Sequence, residues 1–469
     1  MTMWWPVLDN NHVPRYQAIA EAIARDIERG VLEPGARLPT HRELAKHLGV
    51  TVGTVTRGYG EAERRGLTSG EVGRGTYVRR RENPEGFGWR STRRGEVGCL
   101  QDLSLACPWQ PPDGEDGRVL AATLTDIASS TSAVDALLTY DPEGASARQR
   151  AIAAEWLGQQ GVRTDAERVV VSAGAQHAIT VILSTLLRPG DVVLTEELTY
   201  PALKSVAQQL GMRPHGVAMD GEGMLPDALA RASVETGGRM LYCVPTIQNP
   251  TSRVMSVERR EAIAAVVRRH DLQVIEDAVQ VPLLEERAPA LATLVPDRTL
   301  YVATLSKWAT FGLRTGFVAA PEPLVERLRS GVRSTMWMVP PLTVEIATRW
   351  LADGTAKRLG ERKARELEAR QAIVREVLGS RFEVESHPRS LQAWLHLPEP
   401  WRSDECVAQA KQRCVLVAGA EAFAVGRREV PHAVRIAISS PPTREDVRGA
   451  LTTLADMLDG GPGPGSEVL

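Results

Sequence analysis

A lysine, a hydroxyl and a cation lie close together in the second half of the sequence. Lys307 follows the apolar run LYVATL, Ser306 directly precedes it, and Arg314 lies seven residues further on. A lysine amine can form a Schiff base with an aldehyde, while a hydroxyl and a guanidinium suit a phosphate. Pyridoxal phosphate needs this combination. Taken alone, however, the string is more typical of a lysine whose amine extends from an apolar surface into water.

Two polar residues upstream favour the cofactor site. Asp277 ends the run VIED thirty residues before Lys307, and Asn249 lies in VPTIQNPTS, twenty-eight residues before Asp277. A carboxylate keeps the pyridine nitrogen protonated and makes the ring an electron sink, and an amide can hydrogen-bond the phenolic oxygen. For Asp277, a plain role as a strand-end cap stays open.

Three further segments fit such a site. In SAGAQ (172–176), small residues between a predicted strand and helix let helix N-terminal amides bind a phosphate. Tyr200 follows the next predicted strand, where it either stacks on a ring or packs in the core. Arg435, in AVRIAIS, either holds a carboxylate through two hydrogen bonds or lies on a strand surface.

The elements that position these residues alternate between strands and helices. VVVSAG, QHAITVILSTLL and PGDVVLTE predict strand, helix and strand, and RMLYCVP, SVERREAIAAVVRRH and LQVIEDA repeat the pattern. This alternation predicts an α/β body whose mostly parallel sheet is covered by helices on both faces. Because such sheets bind ligands at the carboxyl ends of their strands, the candidate residues are well placed.

The first eighty residues show a different pattern. Tyr16–Gly30 is an amphipathic helix, and Thr40 with Glu43 forms a capping box before HRELAKHL. A Gly turn then leads to a second helix opened by Thr51, and two β-like runs flank Gly73–Gly75. The layout predicts a helix-turn-helix followed by a wing, although many such patterns are simple helical hairpins.

Length and charge support two domains. The 469 residues exceed one ordinary core, and the 43% apolar content is typical of globular proteins. The net charge of −2 excludes a globally basic protein, but residues 1–81 carry 13 Lys/Arg against 9 Asp/Glu, a net +4 that leaves −6 for the rest. We predict a head over 1–78, a linker over 79–98, a body over 99–459 and a disordered tail over 460–469.

The cysteines and termini bear on the compartment. Five cysteines without C-x-x-C spacing argue against a disulfide framework or a metal site and favour a reducing compartment. The sequence has neither the pattern of a signal peptide nor an apolar run long enough for a membrane span. We therefore expect a soluble, cytoplasmic bacterial protein.

Residues 14–78 resemble the GntR family of winged-helix regulators through PGARLPTHRELAKHLGV, TVTRGY and GRGTYV. The resemblance implies that the following residues face operator DNA: Arg42, Thr51, Thr54, Thr56, Arg57, Gly73, Arg74 and Gly75. The two helical arginines suit phosphate contacts, although Arg57 alone could be a solvated surface residue. Many relatives have arginine where Val52 stands, so an apolar contact to a thymine methyl is the alternative to guanine recognition there.

About residues 100–457 resemble fold-type I aminotransferases through LLRPGD, PTIQNPTS, SKW, GLRTGF and VRIAIS. The resemblance implies that fold, with a small C-terminal α+β subdomain and pyridoxal 5′-phosphate as cofactor. Lys307 would be the Schiff-base lysine, Asp277 the ring-nitrogen partner and Asn249 the phenolate partner. The implied phosphate contacts are Ser172, Gly174, Ala175, Ser306 and Arg314.

The same resemblance implies that Tyr200 stacks on the ring and that Arg435 binds an effector or substrate carboxylate. Because such active sites lie at dimer interfaces, it also implies a homodimer in which Tyr140 reaches the phosphate of the partner subunit. One departure stands out: relatives have a tyrosine two or three residues after the aspartate, where this chain has Val279 and Gln280. Gln280 can hydrogen-bond the phenolic oxygen but cannot relay a proton.

The combination of both halves resembles the MocR (GabR-like) subfamily of GntR regulators. It implies a transcriptional regulator whose body senses an amine or amino acid through an external aldimine. Two alternatives stay open: an active aminotransferase with an autoregulatory head, and a regulator that senses pyridoxal phosphate itself. The missing tyrosine argues against fast turnover.

Overall fold

The computed structural model describes residues 4–8, 14–33, 36–64, 67–71, 75–78, 101–141, 143–426 and 430–461. Packing separates two units within these ranges: residues 4–78 form the head, and residues 101–426 with 431–461 form the body. The predicted linker 79–98, the wing residues Gly73 and Arg74, and residues 462–469 of the predicted tail lie outside the described residues.

The head consists of α1 (Arg15–Glu28), α2 (His41–Leu48), α3 (Val52–Arg64), β1 (Thr68–Glu71) and β2 (Gly75–Val78). The capping box of Thr40 and Glu43 is formed as predicted, and Gly49 ends α2 at a positive φ of 62°. Apolar side chains from all three helices meet in one core, and β1 and β2 pair antiparallel. The helix-turn-helix and the strands of its wing are confirmed.

The body contains thirteen described helices in addition to short 3-10 turns. These are α4 (Glu115–Ala128), α5 (Thr131–Leu137), α6 (Ala147–Gln159), α7 (Ala175–Leu186), α8 (Pro201–Gln209), α9 (Pro226–Thr236), α10 (Val257–Arg269), α11 (Leu291–Leu294), α12 (Glu322–Met336), α13 (Pro341–Ala352), α14 (Thr355–Val377), α15 (Ser403–Gln412) and α16 (Arg444–Asp459). Among the helices that the structure describes, none combines the length and apolar character needed to cross a bilayer.

The described strands of the body form one large sheet and three smaller ones. In chain order they are β3 (Gln101–Asp102), β4 (Val169–Ser172), β5 (Val192–Glu196), β6 (Arg213–Val217), β7 (Met219–Asp220), β8 (Gly223–Met224), β9 (Met240–Cys243), β10 (Gln273–Asp277), β11 (Thr299–Thr304), β12 (Gly316–Ala319), β13 (Val384–Ser386), β14 (Gln392–His396), β15 (Val415–Leu416), β16 (Ala418–Gly419) and β17 (Ala433–Ala437).

The large sheet has the order β4-β12-β11-β10-β9-β5-β6. The inner strands β12, β11, β9 and β5 are buried along their whole length because helices cover both faces of the sheet. The prediction of a mostly parallel sheet is confirmed, with one exception: β12 runs antiparallel to both β11 and β4. The connection from β11 to β12 spans only residues 305–315, too short for the crossover that a parallel pair requires.

The smaller C-terminal subdomain contains the antiparallel sheet β13-β14-β17-β16, packed against α14, α15 and α16. The first strand after the linker, β3, pairs parallel with β15 of this subdomain. The chain that enters the body is thereby fixed to the subdomain that carries Arg435.

The cysteines differ from expectation at one position. Cys107, Cys243 and Cys406 are free, but Cys414 is disulfide-bonded. The absence of C-x-x-C spacing gave no sign of this bond.

Gly58 lies where α3 crosses α1, and its replacement tests that contact. A Cβ at Gly58 would lie 2.9 Å from Cβ of Ile19 and 3.1 Å from the carbonyl oxygen of Tyr16, whereas one at Gly60 meets nothing within 4 Å. Alanine in place of either glycine stabilises the helix by about 1 kcal/mol. Only Gly58→Ala also overpacks the contact, which destabilises the head by about 1–3 kcal/mol. We therefore expect the head to unfold more easily in Gly58→Ala than in Gly60→Ala by about 1–3 kcal/mol. Hydrogen exchange of the α1 and α3 amides in the full chain measures the difference, and equal protection would contradict a tight contact.

Candidate cofactor and effector site

Lys307 lies just beyond the carboxyl end of β11, as the sequence predicts. Its Nζ donates a hydrogen bond of 2.7 Å to the carbonyl oxygen of Ala106. Burial lowers the pKa of this lysine, and the positive charges of Arg435 and Arg314 lower it further, against the opposing effects of Cys107 and Asp277. A lowered lysine pKa favours the neutral amine, which is the form that attacks an aldehyde.

Asp277 ends β10 and is held by two hydrogen bonds. The hydroxyl of Tyr242, on the neighbouring strand β9, donates to Oδ2 at 2.6 Å, and the amide of Val279 donates to Oδ1 at 3.2 Å. Burial raises the pKa of Asp277, while these two hydrogen bonds and Lys307 lower it. Tyr242 therefore stabilises the ionised carboxylate that a protonated pyridine nitrogen requires.

The connection from β4 to α7 offers an anion site. Gly174 caps α7 at a φ of +87° without any side-chain cap, so the first-turn N–H groups of the helix keep no intrahelical partner. A Cβ at Gly174 would lie 2.9 Å from Nη2 of Arg314, so the glycine makes room for the guanidinium. Ser172 lies beside them, its hydroxyl 3.2 Å from the carbonyl oxygen of Gly174. A helix N-terminus, a guanidinium and a hydroxyl together fit a phosphate.

Arg435 is buried on β17, with 5% of its surface exposed. Its Nη1 donates to Oδ1 of Asn249 at 3.0 Å, its Nη2 donates to the carbonyl of Ser104, and its Nε has no partner among the described residues. The ring of Phe423 lies 4.8 Å from the guanidinium carbon. Burial lowers the pKa of Arg435 to about 10, so the side chain stays charged at neutral pH. The structure therefore brings Asn249 and Arg435 together.

One short segment holds both cations of this site. Ser104 accepts from Arg435 and Ala106 accepts from Lys307, in each case through the backbone carbonyl. Between them, the carbonyl of Leu105 accepts from the hydroxyl of Ser440. We call residues 104–107 the strap. The sequence gave no sign of the strap, because backbone carbonyls are the same in every residue.

The remaining predicted site residues lie in different surroundings. Ser306 is buried, and its Oγ accepts from the hydroxyl of Thr304 at 2.8 Å. Tyr200 caps α8, and burial raises its pKa to about 12 with Asp277, Arg314 and Arg435 within electrostatic range. Its ring therefore belongs to the same cluster of charges as Lys307.

Gln280 is buried near Asp277, but its amide group already has a partner. Nε2 donates to the carbonyl of Ile247 at 2.9 Å, and Oε1 has no partner among the described residues. The unpaired oxygen Oε1 can accept a hydrogen bond, whereas the sequence predicts that Gln280 donates one to the phenolic oxygen of the cofactor. One N–H of Nε2 is left for the predicted contact with a phenolic oxygen.

Tyr140 is 43% exposed and stacks on Trp337 at 5.3 Å between ring centroids. Its predicted contact with the phosphate of a partner subunit stays a prediction. In the head, Arg42 and Arg57 are exposed, as are Thr51 and Thr56, whereas Thr54 is half-buried. Gly75 begins β2 at the edge of the wing.

Sequence comparison identifies both halves of the chain. Residues 15–78 match the model for bacterial regulatory proteins of the gntR family, and residues 112–454 match aminotransferase class I and II. The solved structure of LysN, an alpha-aminoadipate aminotransferase from Thermus thermophilus complexed with N-(5'-phosphopyridoxyl)-L-leucine, shares the fold with a TM-score of 0.67 at 23% identity, covering 77% of this chain and 92% of that one. The class is a DNA-binding head joined to an aminotransferase-like body.

Two relatives span most of the chain. It is 30% identical to the uncharacterized HTH-type transcriptional regulator YdeF of Bacillus subtilis (strain 168), over 97% of both chains. It is 29% identical to the HTH-type pyridoxine biosynthesis transcriptional regulator PdxR of Corynebacterium glutamicum, over 80% of this chain and 81% of the relative. The chain therefore belongs to the MocR-type family of GntR transcriptional regulators, and pyridoxal 5′-phosphate is the cofactor of its body.

The hydrogen bond from Tyr242 to Asp277 predicts how cofactor retention depends on pH. Replacing Tyr242 by phenylalanine removes a bond to a charged group, worth about 1.5–3 kcal/mol, and so raises the pKa of Asp277 by about one to two pH units. Because retention requires the ionised carboxylate, Tyr242→Phe should lose cofactor at a higher pH than the unsubstituted protein as the solution is acidified. Cofactor absorbance during a pH titration measures the midpoint.

The control is Tyr301→Phe, which removes the hydroxyl of a buried tyrosine on β11 that donates to Gln160. Its midpoint should match that of the unsubstituted protein. Identical midpoints for the Tyr242 and Tyr301 variants would show that the phenol does not support Asp277.

Proposed function

We propose that this protein binds operator DNA through its head and changes its DNA affinity when a small amine that carries a carboxylate, such as an amino acid, enters its body. The gntR match supports operator binding, and the aminotransferase match supports a small-molecule site. The cluster of Lys307, Asp277, Arg314 and Arg435 supports the chemical class of the effector.

The chain supplies each group that the cofactor needs. When bound, pyridoxal phosphate supplies an electrophilic carbon at which one amine can replace another. Lys307 would provide the resident amine, Asp277 would pair with the ring nitrogen, and Asn249, which accepts a hydrogen bond from Arg435, would reach the phenolic oxygen. The phosphate would be held by Ser172, Gly174, Ala175, Ser306 and Arg314.

The strap is the observation that carries the proposal of sensing. Its carbonyls accept from Arg435, which an amino-acid effector would engage with its carboxylate, and from Lys307, whose place on the cofactor the amine of the effector would take. A carboxylate binds a guanidinium more strongly than a neutral carbonyl does, so the effector competes with Ser104. The strap begins six residues after the predicted linker, so its release would reach the head along the chain. Such a switch requires that the effector bind the two arrangements with different affinity.

Gln280 favours exchange over turnover. Transamination must move a proton between two carbon atoms of the bound substrate and cofactor. The amide of Gln280 cannot ionise, so it cannot assist this proton transfer as an ionisable group would. The alternative of an active aminotransferase predicts rapid conversion of the bound cofactor to its amine form with common amino acids. The alternative of a regulator that senses the cofactor predicts that pyridoxal phosphate alone changes DNA affinity.

We also propose a homodimer located in the bacterial cytoplasm, where its DNA target lies. Tyr140 and Trp337 form an aromatic pair that is 43% and 63% exposed, and Phe311 is exposed near Lys307 and Arg314. Exposed aromatic groups of this kind are typical of an interface. A partner subunit that covers this surface would bring Tyr140 to its neighbour's phosphate.

Arg435→Gln tests the carboxylate contact. The measurement is DNA affinity of the cofactor-loaded protein, titrated with amino acids and with the matching amines that lack only the carboxylate. A hydrogen-bonded ion pair is worth about 1.5–3 kcal/mol, so the unsubstituted protein should respond to an amino-acid effector at a concentration at least about tenfold lower than to its amine. Arg435→Gln should abolish this advantage.

The matched control is Arg448→Gln, which removes an arginine of α16 that pairs with Glu376 at the surface. This variant should keep the preference for amino acids. A preference that survives Arg435→Gln would contradict the assignment, and no response to either set of compounds would contradict amine sensing altogether.

Arg42→Ala tests a phosphate contact in the head. The side chain is exposed in the first turn of α2, where it suits a DNA phosphate. Its loss should weaken binding to all sequences and reduce the slope of log affinity against log salt by about 0.9, the value for one phosphate contact. Binding measured by fluorescence anisotropy over a salt series gives the slope, and an unchanged slope would remove Arg42 from the interface.

A further inference from the structure

The first turn of α3 presents an apolar surface where a recognition helix meets the bases. Val52 is the first residue of the helix and is 46% exposed, an unusual position for a branched apolar side chain. Val55 and Tyr59, three and seven residues further along the same stripe of the helix, are buried in the core of the head. The stripe therefore leaves the core at Val52, next to the exposed Gly53 and Thr56. We define the reading face as Thr51, Val52, Gly53 and Thr56.

The hydroxyl groups of the reading face are engaged within the helix. Oγ1 of Thr51 accepts from the amide of Thr54 at 3.1 Å and lies 2.9 Å from the hydroxyl oxygen of Thr54. The hydroxyl of Thr56 donates to the carbonyl of Val52 at 3.0 Å. The hydroxyl groups of Thr51 and Thr56 therefore already take part in local hydrogen bonds, whereas the side chain of Val52 offers only methyl groups.

Gly53 adds a steric condition. It is exposed, and the nearest atom to a Cβ placed there would be Oγ1 of Thr51 at 3.8 Å. Without a side chain at this position, the start of the helix can approach the floor of the groove closely. Val52 can therefore reach base edges that a bulkier neighbour would keep away.

Only one group in the major groove is apolar, the 5-methyl group of thymine. The N-terminal residues of a recognition helix are those that contact base edges. We propose that Val52 recognises a thymine by its methyl group, so that the operator carries a thymine at a fixed position in each site. This inference rests on the proposed binding of operator DNA.

The experiment begins by selecting duplexes from a random library with the full-length protein, which supplies a tight-binding probe. Each thymine of that duplex is then replaced in turn by uracil, which removes only the methyl group. At one position in each site we expect the affinity to fall about fourfold, the value of one buried methyl, while other replacements have little effect. The protein with Val52→Ala should bind the thymine and uracil duplexes equally at that position.

A valine outside the reading face provides the control. Val31 is 63% exposed in the turn after α1, and Val31→Ala should keep the fourfold preference for thymine. Tight binding without any sensitivity to uracil, or sensitivity that persists in Val52→Ala, would overturn the inference while leaving DNA binding intact. Failure to enrich any duplex would instead overturn the proposed DNA binding and, with it, the inference.

Discussion

Two basic side chains, the half-buried Lys307 and the buried Arg435, donate hydrogen bonds to neutral backbone carbonyls of the strap. A carbonyl satisfies the hydrogen-bonding needs of a buried cation but leaves its charge largely uncompensated, so burial lowers the pKa of both groups. A site with uncompensated positive charge attracts anions, and an aldehyde phosphate or a carboxylate meets that need. In the proposed function, the affinity of the body for its ligands and its response to them would therefore have the same electrostatic origin.

The topology of the large sheet brings the charged groups together. Because the connection between β11 and β12 is short, Lys307 near its start and Arg314 near its end stay close together, both beside the ring of Phe311, and Arg314 also lies beside Gly174, the cap of α7. The parallel pairing of β9 with β10 places Tyr242 opposite Ile275, two residues before Asp277. The order and register of the strands therefore bring Tyr242, Asp277 and Lys307 to the same site.

The sequence was sufficient to predict the elements and the residues that have distinctive chemistry. Lys307, Asp277 and Asn249 were identifiable because each follows a predicted strand, and the head was identifiable from its capping box and turn. Tyr242 was not, because its partner is reached only through the register of two strands. The strap was missed since it acts through its backbone. The direction of β12 depends on contacts between strands, which periodicity does not report, and the disulfide bond of Cys414 has no signature in the spacing of the cysteines.

The backbone character of the strap has a consequence for divergence within the family. Contacts made by carbonyl groups survive almost any change of side chain at residues 104–107, so substitutions there leave the hydrogen bonds to Arg435 and Lys307 in place. The walls of the pocket can then change to suit a new effector without a matching change in the strap. Under the proposed sensing of an amine, gene copies that arise by duplication can acquire different effectors while they keep the same strap contacts.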